Sequence, residues 1–220
     1  MSPRHVESRT FEAVLARVSR TRIVPVVILQ DPDDALPLAE ALLDASLDII
    51  EVTFRTPAAR EGIRRIADRF PEMLVGAGTL LTPGQVEDAV AAGAAFGMAP
   101  GFNEDVVHKA RELGLMFMPG VMTPSEVELA LAANCLILKF FPATCAGAAM
   151  LRSLTGVYGH TGVRFIPTGG LDQGSAAEWL GIPGVIAIGA SWLVDPALIA
   201  AKNWLEIQRR ARAILDAVQA

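Results

Sequence analysis

A regular alternation of strand-like and helix-like segments constrains the fold of this chain more than any other feature. Short β-favouring runs recur at near-regular intervals, and each gap between them carries apolar residues at helical spacing. The runs begin near Ile23, Leu47, Met73, Ala95, Leu115, Cys135, Val163 and Val185. Strands that are joined through a helix pair in parallel, because the helix returns the chain to the end of the sheet at which the previous strand began.

Eight such units predict a closed (β/α)8 TIM barrel that forms a single domain over residues 1–220. A short helix over Glu7–Ser19 precedes it, and a longer helical segment over Pro196–Val218 ends it. The competing fold is an open, doubly wound sheet, which favours a glycine fingerprint after the first strand. The first strand is followed instead by Leu29-Gln30-Asp31-Pro32, and the barrel is therefore preferred.

Composition excludes several classes of partner. The formal net charge is -5 and no run of lysines or arginines occurs, so we expect no nucleic-acid partner. No apolar stretch is long enough for a membrane span, and the N-terminus shows no signal peptide. The two cysteines, Cys135 and Cys145, resemble free thiols of a reducing compartment. We expect a soluble cytoplasmic protein.

One lysine, Lys139, lies inside the apolar run Cys135–Pro142 that forms the sixth predicted strand. Desolvation disfavours the charged ammonium and lowers its pKa, which would leave a nucleophile available to attack a substrate ketone. The competing interpretation is a lysine whose stem covers apolar surface while its ammonium stays in water. This stretch by itself does not decide between the two.

Polar residues cluster at the predicted carboxyl ends of the strands, where a barrel builds its active site. Alternation along the second strand places Glu51, Thr53 and Arg55 on one face, towards the barrel mouth. The third strand ends in Gly76-Ala77-Gly78-Thr79, where glycines would let a ligand approach the backbone.

Small residues follow strands seven and eight, as Thr168-Gly169-Gly170 and Gly189-Ala190-Ser191. Exposed backbone N–H groups in such loops can donate to phosphate oxygens. Because two adjacent loops share this character, we prefer a phosphate site to the interpretation that both are ordinary turns. The three histidines, at positions 5, 108 and 160, show no ligand spacing with a carboxylate, so we expect neither a metal nor another cofactor.

These motifs together resemble the 2-keto-3-deoxy-6-phosphogluconate (KDPG) aldolase and 4-hydroxy-2-oxoglutarate aldolase family. The motifs that carry the resemblance are Glu51-Val52-Thr53-x-Arg55-Thr56, Gly76-Ala77-Gly78-Thr79, Pro100-Gly101, Lys139-Phe140-Phe141-Pro142-Ala143, Pro167-Thr168-Gly169-Gly170 and Gly189-x-Ser191-Trp192-Leu193. The resemblance implies a class I aldolase of the Entner-Doudoroff route, which cleaves a phosphorylated keto acid to pyruvate and glyceraldehyde 3-phosphate. It also implies a homotrimer.

The resemblance assigns each site residue a role. Lys139 matches the Schiff-base lysine and Glu51 the general acid/base. The substrate-binding positions that it implies are Arg55 and Thr79 for the pyruvate carboxylate, Thr168 for the pyruvyl end, Gly169, Gly170, Gly189 and Ser191 for the phosphate loops, and Pro100 and Phe141 for the pocket wall.

Four positions depart from the usual family pattern near the sugar: Ala99, Thr144, Ala148 and Ala190. The same chemistry on the galactonate epimer or on unphosphorylated 4-hydroxy-2-oxoglutarate therefore stays open, since motifs do not resolve pocket shape. A sugar-phosphate-binding barrel of another activity is a further alternative, although such a barrel has no need of Lys139.

Overall fold

The computed structural model describes residues 11–219, in which short parallel strands alternate with helices. The strands are β1 (Ile23–Val27), β2 (Ile49–Thr53), β3 (Leu74–Gly78), β4 (Phe96–Met98), β5 (Met116–Met118), β6 (Gly120–Val121), β7 (Ile137–Phe140), β8 (Arg164–Pro167) and β9 (Ile188–Ala190). Every pairing between them is parallel, as the predicted helical crossovers require. The chain therefore has the predicted α/β architecture.

The strands form two sheets that adjoin each other. Six strands run in the order β5-β4-β3-β2-β1-β9, and three run in the order β6-β7-β8. Two parallel bridges, Phe165 to Val185 and Thr168 to Gly189, connect β8 with the segment around β9. At the other junction only Pro119 separates β5 from β6. The predicted fifth strand is thus split, because proline has no N–H to donate to the ladder.

Helices occupy the connections between the strands. They are α1 (Phe11–Thr21), α2 (Ala35–Asp44), α3 (Ala58–Arg69), α4 (Pro83–Ala91), α5 (Glu104–Glu112), α6 (Pro124–Ala132), α7 (Ala143–Ala146), α8 (Ala148–Tyr158), α9 (Ala176–Leu180), α10 (Pro196–Ala200) and α11 (Trp204–Gln219). Helices α4 and α6 begin with complete capping boxes at Thr82 and Thr123, each followed by a proline. These two starts were predictable from the Thr-Pro pairs alone.

The two terminal helices differ from the predictions. The predicted long helix over Pro196–Val218 is interrupted, because Lys202 takes a left-handed conformation (φ 52°) between α10 and α11. Helix α1 spans Phe11–Thr21, while residues 7–10 of the predicted first helix lie outside the described residues.

One contiguous hydrophobic core extends from Val14 to Leu215. Strands β1, β2 and β3 are buried at every position, which is typical of parallel strands covered on both faces. Few polar side chains enter this core: the buried polar residues of the described part are Thr21, Glu51, Thr53, Lys139 and Thr168. Two of the five, Glu51 and Lys139, carry charge.

Candidate active site

The site is centred on an ion pair between Lys139 of β7 and Glu51 of β2. The Lys139 Nζ donates to Glu51 Oε1 at 3.2 Å, and the two side chains are 5% and 1% exposed. A buried charge is costly unless it is paired, so each group stabilises the other in the core. The pairing excludes the interpretation in which the ammonium of Lys139 lies in water.

The second carboxylate oxygen of Glu51 has no partner. Oε2 is buried and accepts no hydrogen bond from any of residues 11–219. Buried polar atoms in folded proteins are nearly always satisfied, so an exception calls for an explanation. A carboxylate oxygen with free lone pairs beside an amine can accept a proton or a hydrogen bond from a bound substrate or water.

Gly78 makes the position of Glu51 possible. A Cβ at Gly78 would lie 2.0 Å from Glu51 Oε1, and one at Gly76 would lie 2.2 Å from the Phe96 ring. The sequence pattern suggested that these glycines open the backbone to a ligand. The structure shows that both instead make room for protein side chains from neighbouring strands.

Thr79 follows directly after β3 and is half-buried with φ +58°. A β-branched residue in the left-handed region is strained, because its Cβ crowds the backbone. Such strain is found at functional sites more often than elsewhere, and Thr79 stands next to the glycine that contacts Glu51. The conformation is compatible with the predicted role of Thr79 and was not visible in the sequence.

Thr168 is buried at the end of β8, where its Oγ1 donates to the Ile166 carbonyl at 3.3 Å. Gly189 lies against it: a Cβ there would be 2.3 Å from Thr168 Oγ1. Gly189 therefore makes room for the Thr168 hydroxyl. Its expected place in a phosphate loop stays a prediction.

The Phe141 ring lies near both Lys139 and the turn after β8. The Lys139 Nζ lies 5.7 Å from the centroid of the Phe141 ring. The same ring faces Gly169, where a Cβ would be 3.0 Å from Phe141 Cε2. Gly169 and Gly170 have φ values of +100° and +79°, which other residues rarely adopt.

The remaining predicted site residues lie nearer the surface. Pro100 is half-buried, and its carbonyl oxygen would be 2.1 Å from a Cβ at Gly120. Arg55 is exposed in the turn after β2, and its guanidinium has no hydrogen bond or ion pair with residues 11–219. Ser191 is exposed and begins the short 3₁₀ turn Trp192–Val194. None of these three makes a hydrogen bond or an ion pair with Lys139 or Glu51.

Sequence reasoning missed two residues that shape the site. The sequence pattern predicts only that Gly78 lets a ligand approach the backbone, and it marks Thr144 only as a departure from a family pattern. Thr144 donates its hydroxyl to the Gly169 carbonyl at 2.5 Å. Neither contact has a local sequence signal, because each joins segments that are distant along the chain.

Two further observations concern residues 11–219 as a whole. Within this range no cluster of three or more His, Cys, Asp or Glu side chains is arranged to hold a metal ion. Over the same range, no helix combines the length and the apolar character that crossing a membrane requires.

Known proteins resemble this chain over most of its length. The sequence model of a family described as KDPG and KHG aldolase matches residues 14–210. The 2-dehydro-3-deoxy-phosphogluconate aldolase of Haemophilus influenzae is 37% identical over 213 residues, covering 96% of this chain and 100% of the relative. The enzyme of the same description from Treponema pallidum is 40% identical over 206 residues, covering 93% and 97%.

A solved structure of a KDPG aldolase is also similar to this chain over most of its length. The KDPG aldolase from Legionella pneumophila, with pyruvate captured at low pH as a covalent carbinolamine intermediate, has a TM-score of 0.87 and 37% identity. The match covers 91% of this chain and 97% of that one. With the family match over residues 14–210 and these relatives along nearly the whole length, the chain belongs to the KDPG and KHG aldolase family.

Proposed function

We propose that this protein is a class I aldolase that cleaves 2-keto-3-deoxy-6-phosphogluconate to pyruvate and glyceraldehyde 3-phosphate. The observation that carries the proposal is the buried pair, in which the Lys139 Nζ lies 3.2 Å from Glu51 Oε1. An amine held in the core beside a carboxylate can give up its proton and attack a ketone. A carbinolamine, the species captured in the Legionella pneumophila enzyme, is the product of such an attack.

The reaction follows from these two side chains. Glu51 takes a proton from the Lys139 ammonium, and the neutral amine adds to the C2 ketone. Glu51 then returns this proton to the carbinolamine hydroxyl, which leaves as water and gives a protonated imine. This iminium accepts the electron pair of the C3–C4 bond when that bond breaks, so that an enamine of pyruvate forms. Glu51 takes the proton from the C4 hydroxyl, which becomes the aldehyde carbonyl of the product. Protonation of the enamine at C3 and addition of water then release pyruvate and the free amine.

Glu51 is placed for both proton transfers. Oε1 holds the amine, while Oε2 is free to meet a substrate hydroxyl or an intervening water. Arg55 is the proposed partner of the pyruvate carboxylate, because an unpaired guanidinium can bind a carboxylate with two parallel hydrogen bonds. Such a clamp would fix the ketone against the lysine.

Other contacts support the rest of the binding site. Thr79 binds the pyruvate carboxylate together with Arg55, Thr168 contacts the pyruvyl end, and Pro100 and Phe141 form the pocket wall. The phosphate binds the N–H groups and hydroxyl of Gly169, Gly170 and Ser191, with Gly189 making room for Thr168. The left-handed glycines at positions 169 and 170 support this assignment, because such turns direct backbone N–H groups towards an anion.

The two sheets form a single closed (β/α)8 barrel within one domain. The bridges at Phe165 and Thr168 support closure between β8 and β9. On the other side, the Lys139 N–H donates to the Pro119 carbonyl at 3.0 Å, and the Ala99 N–H donates to Met118. The segment β5-Pro119-β6 thus pairs with neighbours on both sides, as one strand of a barrel would. The contiguous core supports one domain over residues 1–220.

The protein is cytoplasmic and assembles into a homotrimer, with no nucleic-acid or membrane partner. Exposed apolar side chains support self-association: Leu129 is 54% exposed, Val157 62% and Leu205 79%. Both cysteines are free thiols, which fits a reducing compartment. The net charge of -5 fits the absence of a polyanionic partner.

A second candidate substrate is 4-hydroxy-2-oxoglutarate, which the family description includes beside KDPG. Its cleavage would use Lys139 and Glu51 in the same way. The galactonate epimer of KDPG differs only in stereochemistry at C4. A phosphate site favours KDPG over 4-hydroxy-2-oxoglutarate, because 4-hydroxy-2-oxoglutarate has no phosphate. It does not separate KDPG from its galactonate epimer.

Borohydride trapping with pyruvate tests the proposal. Reduction of the imine should attach pyruvate covalently to one residue, and peptide mapping by mass spectrometry should find it on Lys139. Absence of an adduct, or an adduct on another lysine, would remove the proposed mechanism. Cleavage rates on the gluconate and galactonate phosphates and on 4-hydroxy-2-oxoglutarate then rank the substrates.

A further inference from the structure

The loop after Lys139 is joined to the turn after β8 by a series of backbone hydrogen bonds. The Thr168 N–H donates to the Phe140 carbonyl at 2.9 Å, and the Ala143 N–H donates back to the Thr168 carbonyl at 2.9 Å. One residue further on, the Thr144 N–H donates to the Gly169 carbonyl at 3.1 Å. The backbone connection between the two segments therefore continues past the ends of both strands, into the first turn of helix α7.

The side chain of Thr144 adds a second contact at the same place. Its hydroxyl donates to the Gly169 carbonyl at 2.5 Å, so that this oxygen accepts two hydrogen bonds from one residue. A Cβ at Gly170 would lie 1.8 Å from Thr144 Oγ1 and 2.9 Å from Thr144 Cβ. The threonine thus packs directly on the turn, and only glycine at position 170 leaves room for it.

The turn that Thr144 holds carries a free donor. The N–H of Gly170 donates to no backbone oxygen among residues 11–219, and the residue is exposed. Gly169 and Gly170 take positive φ values of +100° and +79°. Neither residue has a side chain that could restrict its backbone conformation. Since glycine is the most flexible residue type, the shape of this turn depends on the groups that pack against it.

We infer that Thr144 is a positioning residue for the phosphate group of the substrate. Its hydroxyl holds the Gly169-Gly170 turn in the conformation that presents backbone N–H groups to the phosphate. The inference rests on the proposed function, because it takes the Gly169-Gly170 turn as the phosphate site. Thr144 makes no hydrogen bond to Lys139; the Phe141 ring lies 5.7 Å from the amine and also faces Gly169.

The inference predicts different effects on two properties, KM for the phosphorylated substrate and the rate of imine formation. A purely structural role of Thr144 would change both together. Loss of the hydroxyl frees the turn and weakens phosphate binding. Thr144 makes no hydrogen bond to Lys139 or Glu51, so the reaction of the amine with pyruvate, which has no phosphate, should be unaffected. The expected effect is therefore on KM for the phosphorylated substrate and not on imine formation.

The test compares Thr144→Val, which keeps the shape but removes the hydroxyl, with Thr144→Ser, which keeps the hydroxyl. The matched control is Thr161→Val, because Thr161 also donates its hydroxyl to a backbone carbonyl (Tyr158, 2.7 Å) but precedes the amino end of β8. Three quantities are measured for each protein: KM and kcat with KDPG, the inhibition constant of inorganic phosphate, and the rate of borohydride trapping with pyruvate.

For Thr144→Val we expect KM and the phosphate inhibition constant to rise by about 3-fold to 10-fold, the usual effect of one neutral hydrogen bond. The pyruvate trapping rate should stay within about twofold of the wild type, and Thr144→Ser should restore KM. Equal values for Thr144→Val and Thr161→Val would overturn the inference. So would a loss of trapping in Thr144→Val, or a serine variant as impaired as the valine variant.

Failure of the proposed function gives a different result. If the wild type itself forms no adduct with pyruvate, the Schiff-base assignment is wrong, whatever Thr144 does. If the wild type is trapped by pyruvate but is not inhibited by inorganic phosphate, the turn is not the phosphate site, and the inference about Thr144 is overturned while the lysine chemistry stands.

Discussion

At the scale of single residues, Lys139 and Glu51 are each the reason that the other can be buried. Lys139→Ala should abolish turnover and pyruvate trapping, because no other amine lies beside Glu51 in the described core. The variant should still fold, with stability lowered by about 3–5 kcal/mol, the usual cost of breaking a buried pair. Activity assays, circular dichroism and thermal melting check this. A variant with substantial activity would contradict the mechanism.

Glu51→Gln tests the acid/base role separately from nucleophilic attack. The amide keeps the size of the side chain but cannot take up a proton, so we expect kcat to fall by about 10²–10⁴. Imine formation with pyruvate should persist, because the Lys139 amine remains. Borohydride trapping and steady-state kinetics on the same preparation provide the two readouts. Equal loss of both would mean that Glu51 acts mainly by holding Lys139 in place.

The two cysteines should differ in their reaction with alkylating reagents. Burial raises the pKa of the Cys135 thiol, against a smaller opposing influence of the Arg111 charge, whereas Cys145 is exposed. A raised pKa means less thiolate at any pH below it, so iodoacetamide near pH 8 should modify Cys145 first. The rate of Cys135 modification should increase relative to that of Cys145 as the pH rises. Peptide mapping by mass spectrometry at several pH values measures both, and faster modification of Cys135 at pH 8 would contradict the assigned burial.

At the scale of the elements, the packing of β3 against β2 sets the position of the carboxylate. Gly78→Ala should reduce kcat by at least about tenfold, because a Cβ 2.0 Å from Glu51 Oε1 must displace the carboxylate, and small displacements of catalytic groups are costly. Kinetics and thermal melting measure the effect.

Gly84→Ala is the control for this substitution. Gly84 lies in helix α4 with nothing within 4 Å of an added Cβ. Alanine is favoured over glycine in a helix by up to about 1 kcal/mol, so this variant should be active and no less stable than the wild type. Full activity in Gly78→Ala would mean that the neighbouring strands yield without moving Glu51.

Elements were predictable where their signals are local. The Thr-Pro pairs at positions 82 and 123 predict helix starts, because capping and proline preference act within one turn. The break at Lys202 and the interruption at Pro119 could not be placed in the same way. A left-handed lysine has no sequence signature, and a proline by itself does not mark a break, since Pro25 lies within β1 without interrupting it.

At the scale of the whole molecule, the exposed apolar side chains predict self-association. The proposed trimer should have three times the 23.3 kDa mass of the chain when measured by light scattering at micromolar concentration. Leu129, Val157 and Leu205 are each more than half exposed, so their contact with other subunits would remove apolar area from water. A mass equal to one chain at that concentration would contradict the trimer.

The sequence predicts that certain polar side chains share one end of the strands, but it does not predict the contacts between their atoms. Parallel strands bring their carboxyl ends to one edge, so Lys139, Glu51 and Thr168 could be assigned to one mouth before the structure was known. Alternation fixes which face a side chain takes, but not how deep it lies or which atom it contacts. The unpartnered Glu51 Oε2, the Gly78 contact and the Thr144 hydroxyl all depend on packing between segments that are far apart along the chain.

The lysine and the glutamate of the buried pair are separated by 88 residues along the chain. During synthesis, Glu51 leaves the ribosome long before its cation does. A nascent chain that ends before β7 would carry a carboxylate without its counter-ion in the interior, which is unfavourable unless that carboxylate takes up a proton. Completion of the buried pair is thereby coupled to a late stage of folding, and a fragment that ends before β7 should not reach the packing of the intact protein.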